Sequence, residues 1–234
     1  EGGRFDLISD TIGAPFGRSF CKSPEGMIYF FGSRGGVYQL VPGQKPVNIS
    51  EKQIPERLNA YNADTTSVRM VWSDVERGFY VFLTPLAGGA TTNFFYDVRN
   101  QSWWPDKFAT AAHNPVSVHL FDGDTAADRT VLLGGQDGYV RKFDYTTYGK
   151  SDDSVAIDSF VFLGPIQLKN RPKIMLTDMK AAMASGSSNV DFTVYAAETA
   201  ELAEGATSAV TKFTGEWSAG RNKAERRRAS GHDI

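Results

Sequence analysis

Two well-separated segments of this chain spell the same short hairpin, and that repeat constrains the fold more than any other feature. Residues 27 to 40 read Met-Ile-Tyr-Phe-Phe-Gly-Ser-Arg-Gly-Gly-Val-Tyr-Gln-Leu, with β-favouring runs on either side of a Gly-Ser-Arg-Gly-Gly turn. Residues 131 to 144 read Val-Leu-Leu-Gly-Gly-Gln-Asp-Gly-Tyr-Val-Arg-Lys-Phe-Asp. Aligned without gaps, Phe30, Phe31, Gly32, Gly36, Val37 and Tyr38 fall on Leu132, Leu133, Gly134, Gly138, Tyr139 and Val140. Glycine supplies the positive φ that a tight strand reversal needs. The repeat therefore predicts one supersecondary unit used more than once.

The stretch between the two copies carries the same theme. Gly78 to Thr84 is a compact β run, Gly88-Gly89-Ala90 turns the chain, and Asn93 to Val98 gives Asn-Phe-Phe-Tyr-Asp-Val. A polar Arg99-Asn100-Gln101 turn then leads into Ser102-Trp103-Trp104. Strands at this density suit a sandwich or a propeller, whereas a parallel α/β sheet needs helical stretches of about 10 to 15 residues between strands. The best helical candidates, Ile54 to Asn62 with its Pro55 and Ala197 to Ala203, are short. An excess of 23 Gly, 16 Phe, 9 Tyr and 4 Trp fits many short strands joined by tight turns. The fold expected is all-β.

The polar stretch Thr146 to Asp153 reads as a boundary. Residues 1–150 are expected to form propeller-like blades, and residues 151–234 a smaller β-sandwich. Beyond the boundary Ser159 to Leu163, Lys173 to Lys180 and Asn189 to Tyr195 read as strands, with Asp191, Thr193 and Tyr195 alternating against Phe192 and Val194. Period 2 implies a half-buried sheet with one wetter face. The chain opens on Glu1, enters a folded pattern almost at once, and stops abruptly after Arg226 to Ile234. A longer polypeptide is expected, with missing N-terminal sequence continuing the first domain.

Charge and cysteine usage remove several function classes. The 25 Lys and Arg against 27 Asp and Glu leave a net charge of -2, so no global basic field draws nucleic acid. A single cysteine, Cys21, excludes an internal disulfide and a cysteine-based structural zinc site, and reads as a small buried apolar residue. No apolar run reaches the about 18 residues of a membrane span, and no signal-peptide pattern precedes residue 30.

No catalytic constellation emerges. His113, His119 and His232 fall in no HExxH or HxH arrangement, and Pro115 argues against one strand carrying the first two. There is no Gly-x-Ser-x-Gly elbow, and Cys21 has no linked histidine. Asp122-Gly123-Asp124 with Asp128 resembles a fragment of a calcium loop, but without the glutamate and glycine positions of an EF-hand it reads as a solvated turn. Gly134 to Gly138 lacks the Lys-Ser/Thr and following helix of a phosphate loop, and reads as a hairpin turn. No catalytic, cofactor-binding or metal-binding residue is expected, and no cofactor.

Trp103 and Trp104 face opposite sides of a strand, so at most one fills a given core. The other is available to a neighbouring subunit or a sugar. The basic run Arg221 to Arg228 divides its charges between two faces by the same alternation, as a solvated strand edge would.

Ile12-Gly13-Ala14-Pro15 with Arg18-Ser19-Phe20, then Ile28 to Phe31, Gly36-Val37-Tyr38 and Ile49-Ser50, resembles the β-propeller segment of phage tail nozzle proteins. These are the tail tubular or stabilisation proteins of short-tailed bacteriophages. Phe79 to Phe82, Phe95 to Val98 and Trp103-Trp104 look like the next propeller strands, and Phe192 to Tyr195 with Arg226 to Ile234 is similar to the family's sandwich-like end. The resemblance implies a virion subunit, assembled in the host cytoplasm, that forms a hexameric ring with the tail adaptor and other tail proteins. Such a ring retains the packaged double-stranded DNA and conducts it during ejection. It implies structural roles alone for Gly13, Gly36, Tyr38, Tyr96, Asp97 and Trp103. About three blade-like units are legible, where a closed propeller takes about four or more. The competing reading is a carbohydrate-binding or receptor-binding propeller module built around Trp103-Trp104. A propeller-fold hydrolase would need paired carboxylates at a funnel, and the sequence reveals no such pair.

Overall fold

A computed structural model describes residues 7–15, 18–52, 58, 61–62, 64–89, 91–125, 128–143, 151–157, 159–164, 178–184, 186–199, 202–203, 205, 210–220 and 225–228. The chain divides into two compact units, Glu1–Ser159 and Phe160–Ile234. Among the described residues the fold is all-β. Among them, helical backbone is limited to a 3-10 turn at Ala111–His113 and to Leu58, Leu202, Ala203 and Val210. Both helical candidates from the sequence fall partly outside the described residues.

Among its described residues the first unit contains two four-stranded antiparallel meanders and a three-stranded one, and none of these sheets closes into a barrel. The first sheet runs β1 (Phe20–Lys22), β2 (Ile28–Phe31), β3 (Val37–Leu40), β4 (Val47–Asn48). The second runs β5 (Thr66–Ser73), β6 (Gly78–Pro85), β7 (Asn93–Asp97), β8 (Ser102–Asp106). The third runs β9 (Pro115–Phe121), β10 (Thr130–Gly135), β11 (Val140–Phe143). A small hairpin, β12 (Ser151–Asp152) with β13 (Val155–Ala156), follows.

Alternation along the strands builds two cores on opposite faces of the second sheet. Val68, Met70, Trp72, Phe79, Val81, Leu83, Phe94 and Tyr96 meet Cys21, Tyr29, Phe31 and Val37 of the first sheet. Val71, Tyr80 and Phe82 point the other way and meet Val118, Val131 and Leu133 of the third. The central strands are apolar on both faces because both faces are covered, as β6 with seven consecutive buried residues displays. The three sheets thus stack face to face in sequence order.

Their first strands share one edge of the stack. Met70 N–H donates to the Arg18 carbonyl at 3.3 Å, just before β1. Arg69 Nε donates to the Val116 carbonyl on β9 at 2.9 Å, and Arg18 Nη1 to the Val118 carbonyl at 3.5 Å.

The repeated hairpin is present, one residue out of the ungapped alignment. Gly32 N–H donates to the Gly36 carbonyl and Gly35 N–H to that of Gly32; in the second copy Gly135 donates to Tyr139 and Gly138 to Gly135. Gly32 therefore corresponds to Gly135, and the closing pair Phe31 and Val37 to Gly134 and Val140. A one-residue slip moves side chains to the other face. It puts Leu133, which meets the second sheet, in the place of Phe30, which points away from it; the first and third sheets lie on opposite sides of the second, so their inward faces differ.

In the second unit β14 (Asp178–Ala181) pairs with β17 (Glu225–Arg228), and β15 (Val190–Tyr195) with β16 (Thr211–Trp217). The Phe192 ring lies over Gly215 across the pair and 4.3 Å from the Trp217 ring centroid; a Cβ at Gly215 would meet it at 2.6 Å. The strand expected over Ser159 to Leu163 is absent: these residues pair with no described strand, although the Phe162 ring stacks on Tyr195 of β15 at 6.5 Å. The strand expected over Lys173 to Lys180 is seen only from Asp178, residues 173–177 lying outside the described set. Residues 146–150 of the polar stretch, residues 221–224 of the basic run and His232 also lie outside it, while Glu225–Arg228 is a paired strand.

Candidate functional site

The residues singled out by the resemblance gather at the turn ends of the first two sheets, where they hold backbone in place. Gly36 adopts a φ of 80°, and a Cβ there would approach Asn48 Nδ2 at 3.1 Å and Ser50 Oγ at 3.2 Å. Those neighbours form a buried polar knot: Ser50 Oγ donates to Asn48 Oδ1 at 3.0 Å and accepts the Val37 N–H at 2.9 Å. Tyr38 is buried, stacks on Phe30 at 5.5 Å, and leaves no space for a side chain at Gly32. Gly13 pairs with the hairpin tip, its carbonyl accepting the Ser33 N–H at 2.7 Å.

Tyr96, Asp97 and Trp103 form the corresponding feature of the second sheet. Asp97 Oδ1 accepts the N–H groups of Arg99 at 2.9 Å and Asn100 at 3.4 Å, and Oδ2 accepts Asn100 Nδ2 at 2.7 Å, so the carboxylate builds the β7–β8 turn. Burial pushes its pKa up, but these bonds outweigh it and hold the carboxyl below its ordinary range. Trp103 packs on Tyr96 at 4.7 Å and donates Nε1 to the Ile49 carbonyl at 3.3 Å, joining the second sheet to the first. Trp104 faces the other way, is 58 % exposed, and donates to its neighbour Ser102. One tryptophan is spent on the core and the other is free for contact.

A groove of about 540 Å³ opens where the β1–β2, β5–β6 and β7–β8 turns meet. Glu25, Asp74, Arg77 and Arg99 line it above the buried rings of Tyr29 and Trp72. Trp72 donates Nε1 to Asp74 Oδ1 at 2.8 Å. Burial, followed by nearby Tyr96, Cys21 and Glu25, pushes the Tyr29 phenol up to about 12, so it stays protonated. The groove has a rim of mixed charge and offers no open aromatic platform.

A polar cluster joins the β12–β13 hairpin to the third sheet. His113 Nδ1 lies 3.1 Å from Asp152 Oδ2, which accepts the Ala109 N–H at 3.0 Å. Arg141 bridges Asp137 and Asp153 through Nη2 at 2.7 and 2.9 Å. His119 stands elsewhere, exposed on β9, so His113 and His119 are not brought together as a pair. Asp122 pairs with Arg129 at 2.7 Å and Asp128 accepts Thr125 Oγ1 at 2.7 Å, arrangements of an exposed turn. Among the described residues no group of three or more His, Cys, Asp or Glu is placed to hold a metal ion. Burial raises the Cys21 thiol well above its ordinary range, away from thiolate chemistry. Among the described residues no helix is long and apolar enough to cross a membrane.

Of the two arginines of the shared edge, the sequence placed Arg18 only within the resemblance, with no role of its own, and Arg69 was missed. A charged residue inside the apolar run Val68 to Trp72 was the available signal, since a buried strand carries a guanidinium only where carbonyls or carboxylates meet it. No family model, curated protein or solved structure matches the chain.

Proposed function

We propose that this chain is a structural subunit of a short-tailed bacteriophage tail, of the nozzle type, in which successive meanders serve as propeller blades. The carrying observation is the shared edge: three antiparallel meanders stack in sequence order, with Arg18, Arg69 and Met70 tying their first strands together. In a propeller the first strand of each blade lies innermost and neighbouring blades pack face to face. The reading requires at least one further sheet against the outward face of the third sheet, where Phe121 and Val140 are exposed. The second unit, with its paired ribbons, takes the place of the sandwich-like end. The six residues Gly13, Gly36, Tyr38, Tyr96, Asp97 and Trp103 act by fixing turns and packing, and the reading assigns no catalytic residue. The subunit joins a ring, with the adaptor and other tail proteins as neighbours and double-stranded DNA passing through the channel of the virion tail. Electron microscopy of the parent particle, with mass spectrometry of purified virions, tests this. The protein is expected as a ring in the tail, and its absence from virions would sink the reading.

Exposed Trp104 supports a second reading, a carbohydrate-binding module at the outer edge of the second sheet. A glycan array with the wild-type chain and Trp104→Ala decides it. Absence of binding, or binding unchanged by the substitution, removes it.

A further inference from the structure

The β12–β13 hairpin is held to the first unit by charge rather than by burial. No residue from Ser151 to Ile157 is buried, and Val155 and Ile157 are 44 and 38 % exposed. Among the described residues, its bonds to the rest of the chain run through two carboxylates. Asp152 Oδ2 accepts the Ala109 N–H at 3.0 Å and lies 3.1 Å from His113 Nδ1. Asp153 Oδ2 accepts Arg141 Nε at 3.2 Å and Nη2 at 2.9 Å. Each strand has two residues, too few to hold a hairpin by itself. The turn between them sets Asp153 and Ser154 at φ of 49° and 71°, left-handed backbone that a side chain adopts at a cost. Such a strap stays down only while its charges hold it.

The groups around Asp152 make that hold depend on pH. His113 is 8 % exposed, and its Nδ1 lies close to Asp152 but outside hydrogen-bond alignment, so the contact gains most when the imidazole is charged. Histidine is the side chain that changes charge between about pH 5 and 8. Asp106 bears on Asp152 from the end of β8. Burial raises its carboxyl above the ordinary range, and Glu76 and Asp152 raise it further against the Lys107 N–H. Glu76 in turn accepts the Tyr80 hydroxyl. Asp137 also faces His113, but Arg141 holds it down to about 2, so that ion pair stays charged throughout and keeps the second arm constant. As pH falls, an imidazolium attracts Asp152 and a neutral Asp106 no longer repels it. Both changes press the hairpin down.

We propose that residues 151–156 are a pH-sensitive strap on the first unit, seated through the Asp152–His113 pair in mild acid and loosened in mild alkali. The strap ends shortly before the boundary at Ser159, so loosening it frees chain on the approach to the second unit. This device is independent of the tail reading.

A spin label reads the strap in the full chain. Ser154→Cys puts the label at the exposed tip of the hairpin, buried Cys21 is out of its reach, and Val47→Cys on β4 is the exposed control. Spectra at about pH 5.5 and about pH 8 span the histidine range and resolve immobilised from mobile label. The immobilised-to-mobile ratio at Ser154→Cys is expected to be about two- to fivefold higher at the lower pH, the size a partly screened ion pair allows. Val47→Cys is expected to show no change. His113→Gln, which cannot charge, is expected to remove most of the response, and Asp106→Asn the remainder when combined with it. Asp152→Asn removes the same pair from the hairpin side and carries the test should thermal melting show that His113→Gln does not fold. Equal spectra of the Ser154→Cys label at the two pH values, or an undiminished response in the folded variants, overturn the proposal.

Discussion

Arg69 Nε donates to the carbonyl of Val116 at 2.9 Å, and through that bond the first strand of the second sheet holds the first strand of the third. The same guanidinium donates Nη1 to the Val68 carbonyl at 2.8 Å, so one planar fork serves two carbonyls at the edge where the sheets converge. Arg69→Ala leaves both without their charged donor and is expected to cost about 1.5–3 kcal/mol per bond to a charged group at the upper end. Arg69→Lys should recover only part of that loss, because an ammonium cannot reproduce the fork. Urea unfolding followed by tryptophan fluorescence measures it; a wild-type midpoint for Arg69→Ala would show that the seam is held without this side chain.

Trp103 and Trp104 should separate cleanly in the same experiment. Trp103 packs among Phe79, Phe94 and Tyr96 and bonds the Ile49 carbonyl, so Trp103→Ala removes a ring from the first core and is expected to cost about 3 kcal/mol or more. Trp104→Ala touches an exposed ring and is expected to stay within about 0.5 kcal/mol. Equal losses for the two would contradict the assignment of their faces.

The same pair shows how far the sequence carries. Alternation alone told that Trp103 and Trp104 point to opposite sides, and the Gly-rich turns located both copies of the hairpin. Alternation could not tell which tryptophan turns inward, since that depends on which sheet covers which face. Strand β5 escaped notice although it is among the longest, because Arg69 interrupts its apolar pattern and its partner carbonyl lies 47 positions away. Strand β9 escaped because Pro115 reads as a breaker; at the first position of the strand it forgoes only an N–H, while its carbonyl accepts Thr84 Oγ1 at 2.7 Å. Ser159 to Leu163 went the other way: its composition says strand, yet its backbone pairs with no described strand and its contact with β15 is the Phe162 ring on Tyr195.

Gly78 opens β6 for a steric reason that a single methyl group will expose. A Cβ there would lie 2.2 Å from the Tyr96 carbonyl oxygen and 2.5 Å from the Phe95 ring, and the first of these is backbone of the adjacent strand. The obstacle cannot rotate away, so Gly78→Ala must push β6 and β7 apart between the two cores. Overpacking of this kind costs about 1–3 kcal/mol. Differential scanning calorimetry should show a lower melting temperature for Gly78→Ala, whereas Gly164→Ala, with nothing within 4 Å, should not lower it. An unchanged melting temperature for Gly78→Ala would mean that the two strands are not packed this closely.

Asp106 and Asp137 should answer acid in opposite directions. Burial at the end of β8 raises the Asp106 carboxyl above its ordinary range; the Lys107 N–H pulls it down, and Glu76 and Asp152 push it further up. The Arg141 guanidinium holds Asp137 down to about 2, against the burial that raises it. A carboxyl raised in the folded state contributes stability below its unfolded value of about 4, and loses it as pH climbs through the raised folded value. A depressed carboxyl contributes above about 4 and loses it as pH falls toward the folded value. Acidification from neutrality to about pH 4 should therefore bring out the favourable contribution of Asp106, and further acidification should remove that of Asp137. Asp106→Asn is expected to melt higher than wild type at pH 7 and to lose the first change, because no charge is left to desolvate. Asp137→Asn is expected to melt lower at pH 7 and to lose the second. Melting temperatures of the three proteins across this range check both signs. Should Asp106→Asn melt with wild type at neutral pH, the buried carboxylate is not the strained group assigned to that position.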